Sequence, residues 1–175
     1  MVLLPTSVFG QTLDEVMADR PLSLVGTSTL KVMLFNVFDS ALYTGTGQWD
    51  EPDNSFRLTL TYKRNLKARW LVRSTGEEWE HLGITDNRLD SWMSELATMW
   101  PDINKGDSIT LDVDAHGVSR FFYNQNEVGA ITDPDFGPLF AAIWLSPDTS
   151  QPKHCLLYTS PSPRDTERSR MPSSA

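Results

Sequence analysis

The clearest hydrophobic pattern lies between Phe56 and Tyr62, where Phe56, Leu58, Leu60 and Tyr62 alternate with Arg57, Thr59 and Thr61. Period-two alternation predicts a strand with one face buried and the other polar. Upstream, Leu22 to Gly26 gives a short strand and Leu30 to Thr44 a longer one. In the longer segment Leu30, Val32, Leu34, Phe38 and Leu42 share one face, and Met33, Phe35, Val37 and Tyr43 the other. Apolar residues on both faces predict a single strand covered on both sides. The stretch from Gly45 to Asn54 is rich in turn formers and reads as a loop.

The period then changes. Leu66, Trp70, Arg73, Trp79 and Leu82 predict an amphipathic helix, interrupted at Gly76. Leu89, Trp92, Met93, Leu96, Met99 and Trp100 predict a second, capped by Thr85 or Asp86 and stopped by Pro101. Tryptophans at helical spacing read as core. Ser108 to Asp114 and Val118 to Tyr123 form a hairpin around Ala115-His116-Gly117, with glycine supplying positive φ. The second strand ends in Asn124-Gln125-Asn126, Val128 to Ile131 returns, and Asp133-Pro134 opens a helix carrying Phe136, Phe140, Ile143 and Trp144 on one face. Strands, helices, a hairpin and a helix spell the α+β class with a mostly antiparallel sheet. No internal repeat is visible.

The two ends do not continue this pattern. Val2, Leu3, Leu4, Val8 and Phe9 before Gly10 resemble the end of a signal-peptide apolar region, with Val8 and Gly10 as acceptable residues for cleavage. The basic start is missing and the run falls short of about 7–15 residues. The expectation is an N-terminal segment over residues 1–21 that holds the remnant of a signal peptide, and a periplasmic or secreted protein. At the other end, Cys155 to Ala175 resembles the conceptual translation of a transposase-type sequencing adapter. Residues 155–175 are therefore read as a non-native tail, which would truncate the domain, residues 22–154, at its C-terminus.

Setting the tail aside sharpens the composition. The whole chain has 15 basic and 23 acidic residues, a net charge of −8. Three arginines and only two acids fall in the tail, so the rest is more acidic still. One domain of this length buries a real core. With no basic stripe in the sequence, the acidity argues against nucleic acid and anionic membranes as partners. No apolar run is long enough to cross a bilayer. The single cysteine, Cys155, lies in the tail, which removes disulfides, thiol catalysis and thiolate metal sites from the domain.

Catalytic patterns are hard to find. His81, His116 and His154 share no ligand spacing, so a histidine metal site is not expected. Asp102, Asp107, Asp112 and Asp114 cluster around the hairpin but match no calcium loop; solvated turn and edge positions are expected for them. Gly45-Thr46-Gly47 lacks the spacing and lysine of a phosphate cradle, and no Gly-x-Ser-x-Gly elbow is present. No catalytic residue, metal or cofactor is assigned.

Four segments carry a resemblance. They are Leu24 to Trp49, Leu58 to Gly83, Trp100 to Val113, and Arg120 to Pro152, with FDSALY (Phe38 to Tyr43), Gly106-Asp107, FFYNQNEVGAI and FGPLFAAIWLSP as the most specific pieces. In order and spacing they resemble the bacterial chalcone isomerase-like family. The resemblance implies an open-faced β-sandwich: a large, mostly antiparallel sheet with helices layered on one face and a cleft between. It also implies two activities to weigh.

Plant chalcone isomerases close a phenolate onto an enone, which calls for a cation to hold the phenolate and hydroxyl donors for the developing charge. In the family pattern an arginine precedes the long strand and a threonine follows within it. Thr29 stands nearest the arginine's place and Phe38 holds the threonine's, so this intramolecular lyase activity is the lesser expectation. The favoured one is non-catalytic binding of a fatty acid or similar small amphiphile, which needs an apolar slot and one or two polar anchors. Phe35, Phe38, Leu60 and Tyr62 are candidates for the slot, and Lys31 or Tyr43 for the anchor. A structural or partner-binding envelope protein, its cleft filled by side chains, is the third class.

Overall fold

Residues 10–49 and 55–150 are described by the computed structural model of the chain. The apolar stretch up to Phe9 and the tail from Cys155 lie outside them. Six antiparallel strands run in sequence order across one sheet: β1 Ser23–Val32, β2 Phe35–Thr44, β3 Phe56–Tyr62, β4 Ser108–Val113, β5 Ser119–Tyr123 and β6 Asn126–Ile131. Four helices accompany them: α1 Leu13–Asp19, α2 Ala68–His81, α3 Leu89–Met99 and α4 Phe136–Leu145.

Alternation sets the two faces. Leu42, Phe56, Leu58, Leu60, Tyr62, Ile109, Leu111, Val113 and Phe121 all point into the main core, where α2, α3 and α4 cover them. At one end of this layer aromatic rings pack tightly. Trp79 is fully buried, meets Trp92 and Phe136, and donates its indole N–H to the Leu139 carbonyl at 2.9 Å. Phe121 makes edge contacts with Trp100, Phe136 and Phe140. Such edge-to-face geometry suits ring quadrupoles as well as volume. The layering over this face matches the expected open-faced sandwich.

Helix α1 is an addition to the sequence reading, and it sits on the other face. Leu13 and Val16 bury against Phe122, the neighbour of Phe121 on β5 that points the opposite way. A capping box starts α1: Thr12 accepts from the Glu15 N–H, and Glu15 accepts from the Thr12 N–H at 2.8 Å. Two orphan N–H groups are satisfied reciprocally.

Three local expectations are corrected. The expected single strand over Leu30 to Thr44 is a hairpin: Val32 pairs with Phe35 across a turn at Met33-Leu34, and Met33 takes φ 55°. The apolar residues thought to cover two faces include the turn itself, so Met33 and Leu34 stand 91% and 94% exposed. Helix α2 runs through Gly76 without a break, because that glycine receives Met93 from α3; a Cβ there would lie 2.7 Å from the Met93 methyl carbon. Asp112 is not solvated at all. It is 2% exposed and bonded to two arginines.

Candidate functional site

Between the sheet and the helices the packing leaves a cavity of about 400 Å³. Its floor is Phe38, Leu58, Leu60, Ile109, Leu111 and Phe121, contributed by four strands through their inward positions. Its roof is Leu71 of α2 with Phe140, Ile143 and Trp144 of α4. The rim is a stripe of α2 at helical spacing, Trp70, Ser74, Glu77 and His81, opposite Ser28, Leu30 and Val32 of edge strand β1. Trp70 and Val32 are both more than a third exposed, so the slot opens along that edge.

Polar groups in the lining are few. Tyr62 is 3% exposed, and its ring stands edge-on to Phe38, which in turn meets Trp144. Burial pushes the Tyr62 phenol well above its ordinary range, so the hydroxyl stays a neutral donor. Among the described residues no group hydrogen-bonds that hydroxyl. Ser40 donates to the Ser28 carbonyl at 3.2 Å and Thr75 to the Leu71 carbonyl at 2.9 Å. Closer to the rim, Glu78 accepts from the Ser150 N–H and hydroxyl, and the His81 ring contacts the Asp148 carbonyl at 3.1 Å. Among the described residues the lining contains no lysine and no arginine.

The arrangement divides the six residues expected from sequence. Phe38, Leu60 and Tyr62 meet at the cavity wall. Lys31, Phe35 and Tyr43 do not reach it. Lys31 lies on β1 between Leu30 and Val32, the residues that do face the cavity. Tyr43 pairs with Arg57, on the face turned away from the helices. Phe35 is 55% exposed at the hairpin tip, with the Arg64 guanidinium 4.4 Å from its ring centre. Sequence reading missed Trp70, Ile143 and Trp144 as a group. Their helical periodicity was visible, but which part of the apolar surface faces a void depends on how α2 and α4 cross the sheet.

The opposite face carries a cluster of paired charges. Asp112 Oδ1 accepts from Arg57 Nε at 2.8 Å and from Arg20 Nη2 at 2.6 Å, while Arg20 also donates to the Val113 carbonyl and to the Ser55 hydroxyl. Arg20 is the C-cap of α1, so the helix that covers this face also delivers a charge to it. Thr59 pairs with Thr110, Lys63 with Asp39, and Arg120 with Glu127.

The sequence model of the chalcone isomerase-like family matches residues 6–153. An uncharacterized protein of Haemophilus influenzae is 23% identical over 116 residues, 66% of this chain and 57% of that relative's length. The chain therefore spans little more than half of that relative. A crystal structure of a fatty-acid binding protein from Arabidopsis thaliana superposes with a TM-score of 0.59 at 13% identity, over 79% of this chain and 87% of the other. At that identity the likeness concerns the fold. By the match of its sequence over nearly the whole length, the chain belongs to the chalcone isomerase-like family.

Proposed function

We propose that the protein binds a single-chain amphiphile, a fatty acid or similar molecule, in the cavity between sheet and helices, and does no chemistry on it. The observation that carries this reading is the cavity itself: about 400 Å³, walled by Leu, Ile, Phe and Trp side chains, with the Tyr62 hydroxyl and the unpartnered Trp100 and Trp144 indole N–H groups as donors. Ligand sites are typically about 300–1,000 Å³, mostly apolar, with few polar groups. The fatty-acid binding of the Arabidopsis protein supports the reading by analogy of fold. Intramolecular lyase chemistry lacks support for a specific reason. A phenolate needs a cation, and among the described residues the lining offers no lysine or arginine.

The same fact shapes the ligand's state. An ionised carboxylate buried without a cation is penalised by desolvation, so a fatty acid enters as the neutral acid, its carboxyl bonded to Tyr62. A neutral head group suits the site equally. On the apolar stretch before Gly10, we place the protein in the periplasm or outside the cell.

The test is direct. Solvent extraction of the purified chain followed by mass spectrometry is expected to release a lipid in near-stoichiometric amount. After delipidation, a fluorescent fatty-acid analogue is expected to bind and to be displaced by palmitate. Its bound pKa being raised, the acid binds best at low pH and loses affinity as pH rises through that value. A delipidated protein that takes up neither acid nor fatty alcohol at any pH overturns the reading.

A further inference from the structure

The hairpin joining β1 and β2 is built against ordinary expectation. Two-residue hairpin turns favour Asn-Gly or a glycine where φ is positive. Here Met33 occupies the positive-φ position at 55°, with Leu34 beside it. Seven large apolar residues are conspicuously exposed among the described residues, and four of them are consecutive: Val32, Met33, Leu34 and Phe35. Neither turn geometry nor core packing explains two large apolar side chains almost wholly in water.

Charge surrounds this tip. A shallow depression beside it is lined by Leu34, Phe35, Lys63, Arg64 and Lys105, and Lys31 precedes Val32 on the strand. The nearby acids are occupied: Asp39 is bonded to Lys63 and Thr29, and Asp107 to Tyr123 and Asn124. Asp39 neutralises Lys63, while Lys31, Arg64 and Lys105 form a basic collar around the most exposed apolar segment among the described residues of a protein of net charge −8. Composition argued against an anionic surface as partner, but the fold redistributes the charge. Val32 belongs to both features, lining the cavity and standing 46% exposed beside Met33. The apolar surface is therefore continuous from the tip to the cavity rim.

We propose that the Val32–Phe35 hairpin tip is a membrane-docking element, which inserts Met33 and Leu34 among the acyl chains of an anionic lipid surface and sets the cavity mouth against it. Apolar insertion and electrostatic attraction are the two terms that hold a protein in an interface. Docking follows from the tip alone; its use as an entry route for ligand rests on the amphiphile reading above.

Flotation of the full chain with phosphatidylglycerol–phosphatidylcholine vesicles tests the proposal, against phosphatidylcholine vesicles alone. The chain is expected to float with the anionic vesicles and to release as salt is raised. Met33→Gly with Leu34→Asn places glycine at the positive-φ position, keeps the fold, and is expected to weaken flotation on the order of a hundredfold. Lys105→Glu is expected to weaken it by about fivefold or more. Neither Met33 nor Leu34 lines the cavity, so the turn variant retains binding of the fluorescent fatty-acid analogue in detergent-free buffer. A chain that docks but takes up no lipid would sink the ligand reading and leave this one standing. Equal flotation of the turn variant overturns the proposal, as does absence of flotation. A turn variant that converts a dimer to a monomer also overturns it, assigning the tip to contact between copies.

Discussion

Asp112 and Tyr62 lie on opposite faces of one sheet, each almost shut off from water, and the protein treats them differently. Around Asp112 two guanidinium groups, a carbonyl and a hydroxyl close a cluster under α1. Around Tyr62 the neighbours are aromatic, and the hydroxyl is left without a partner among the described residues beside an open volume. Strand β3 serves both faces, since Arg57, the partner of Asp112 on β4, and Tyr62 sit at positions of opposite parity. One face uses its buried polar atoms to hold the fold shut; the other keeps the Tyr62 hydroxyl and the Trp100 and Trp144 indole N–H groups in reserve. A polar group waiting for a partner is expected where a ligand goes.

The contrast can be broken most severely at Asp112. Asp112→Ala leaves the Arg57 guanidinium buried and uncompensated, and is expected to cost about 3–5 kcal/mol in chemical denaturation. A loss of under 1 kcal/mol would show that this face is not locked as described. On the cavity side, Leu58→Trp places a ring into the void. Uptake of the fatty-acid analogue is expected to fall at least about tenfold with a near-wild-type melting temperature. Removing one oxygen is a smaller step. Tyr62→Phe is expected to weaken binding by about 1 kcal/mol while leaving stability unchanged or slightly raised, because the oxygen lost had no partner in the free protein.

The smallest effect is expected in the helical layer, at the exposed cluster where Arg88 bonds to Asp86, Asp133 and Asp135. Hydrogen bonds from Arg88 lower the Asp86 carboxyl to about 2. Its folded value lies below its unfolded one, so its stabilisation is complete above about pH 4 and is lost as pH falls towards 2. Asp86→Asn is expected to flatten the acid limb of a stability–pH profile in that window and change little at neutral pH. An unchanged limb would mean that Arg88 exchanges partners freely among the three acids.

How much of this the residues announced differs between the same two faces. Phe56 to Tyr62 named its buried side by alternation alone, and through it Leu60 and Tyr62 of the cavity. Phe38 was found the same way. Lys31, Phe35 and Tyr43 lie outside the lining, on positions whose parity already separated them from Leu30, Val32 and Phe38; what the Leu30–Thr44 run hid was its turn, since Met33-Leu34 has no glycine, asparagine or aspartate to mark it. Helix α1 did carry a signal, the Thr12-to-Glu15 capping box, but its short apolar face merged with the apolar residues before it. Asp112 gave no signal. Its partners Arg20 and Arg57 stand far away in sequence, and only the sheet register and the landing of α1 bring them together.

The strand order holds a further consequence, for how the chain assembles. All five pairings join strands that are consecutive in sequence, and the turns between β1 and β2, β4 and β5, and β5 and β6 are short. Only β3 and β4 are separated by a long excursion, the one carrying α2 and α3, pinched at its neck by paired hydrogen bonds between Leu66 and Ile103. Contact order in the sheet is therefore low except at that seam, where loop closure costs the most entropy. Two local meanders can form early and independently, and the joining of β3 to β4 becomes the event that commits the chain. Tyr62 and Asp112 stand on the two strands that meet there, so cavity and charge cluster come into being in the same step.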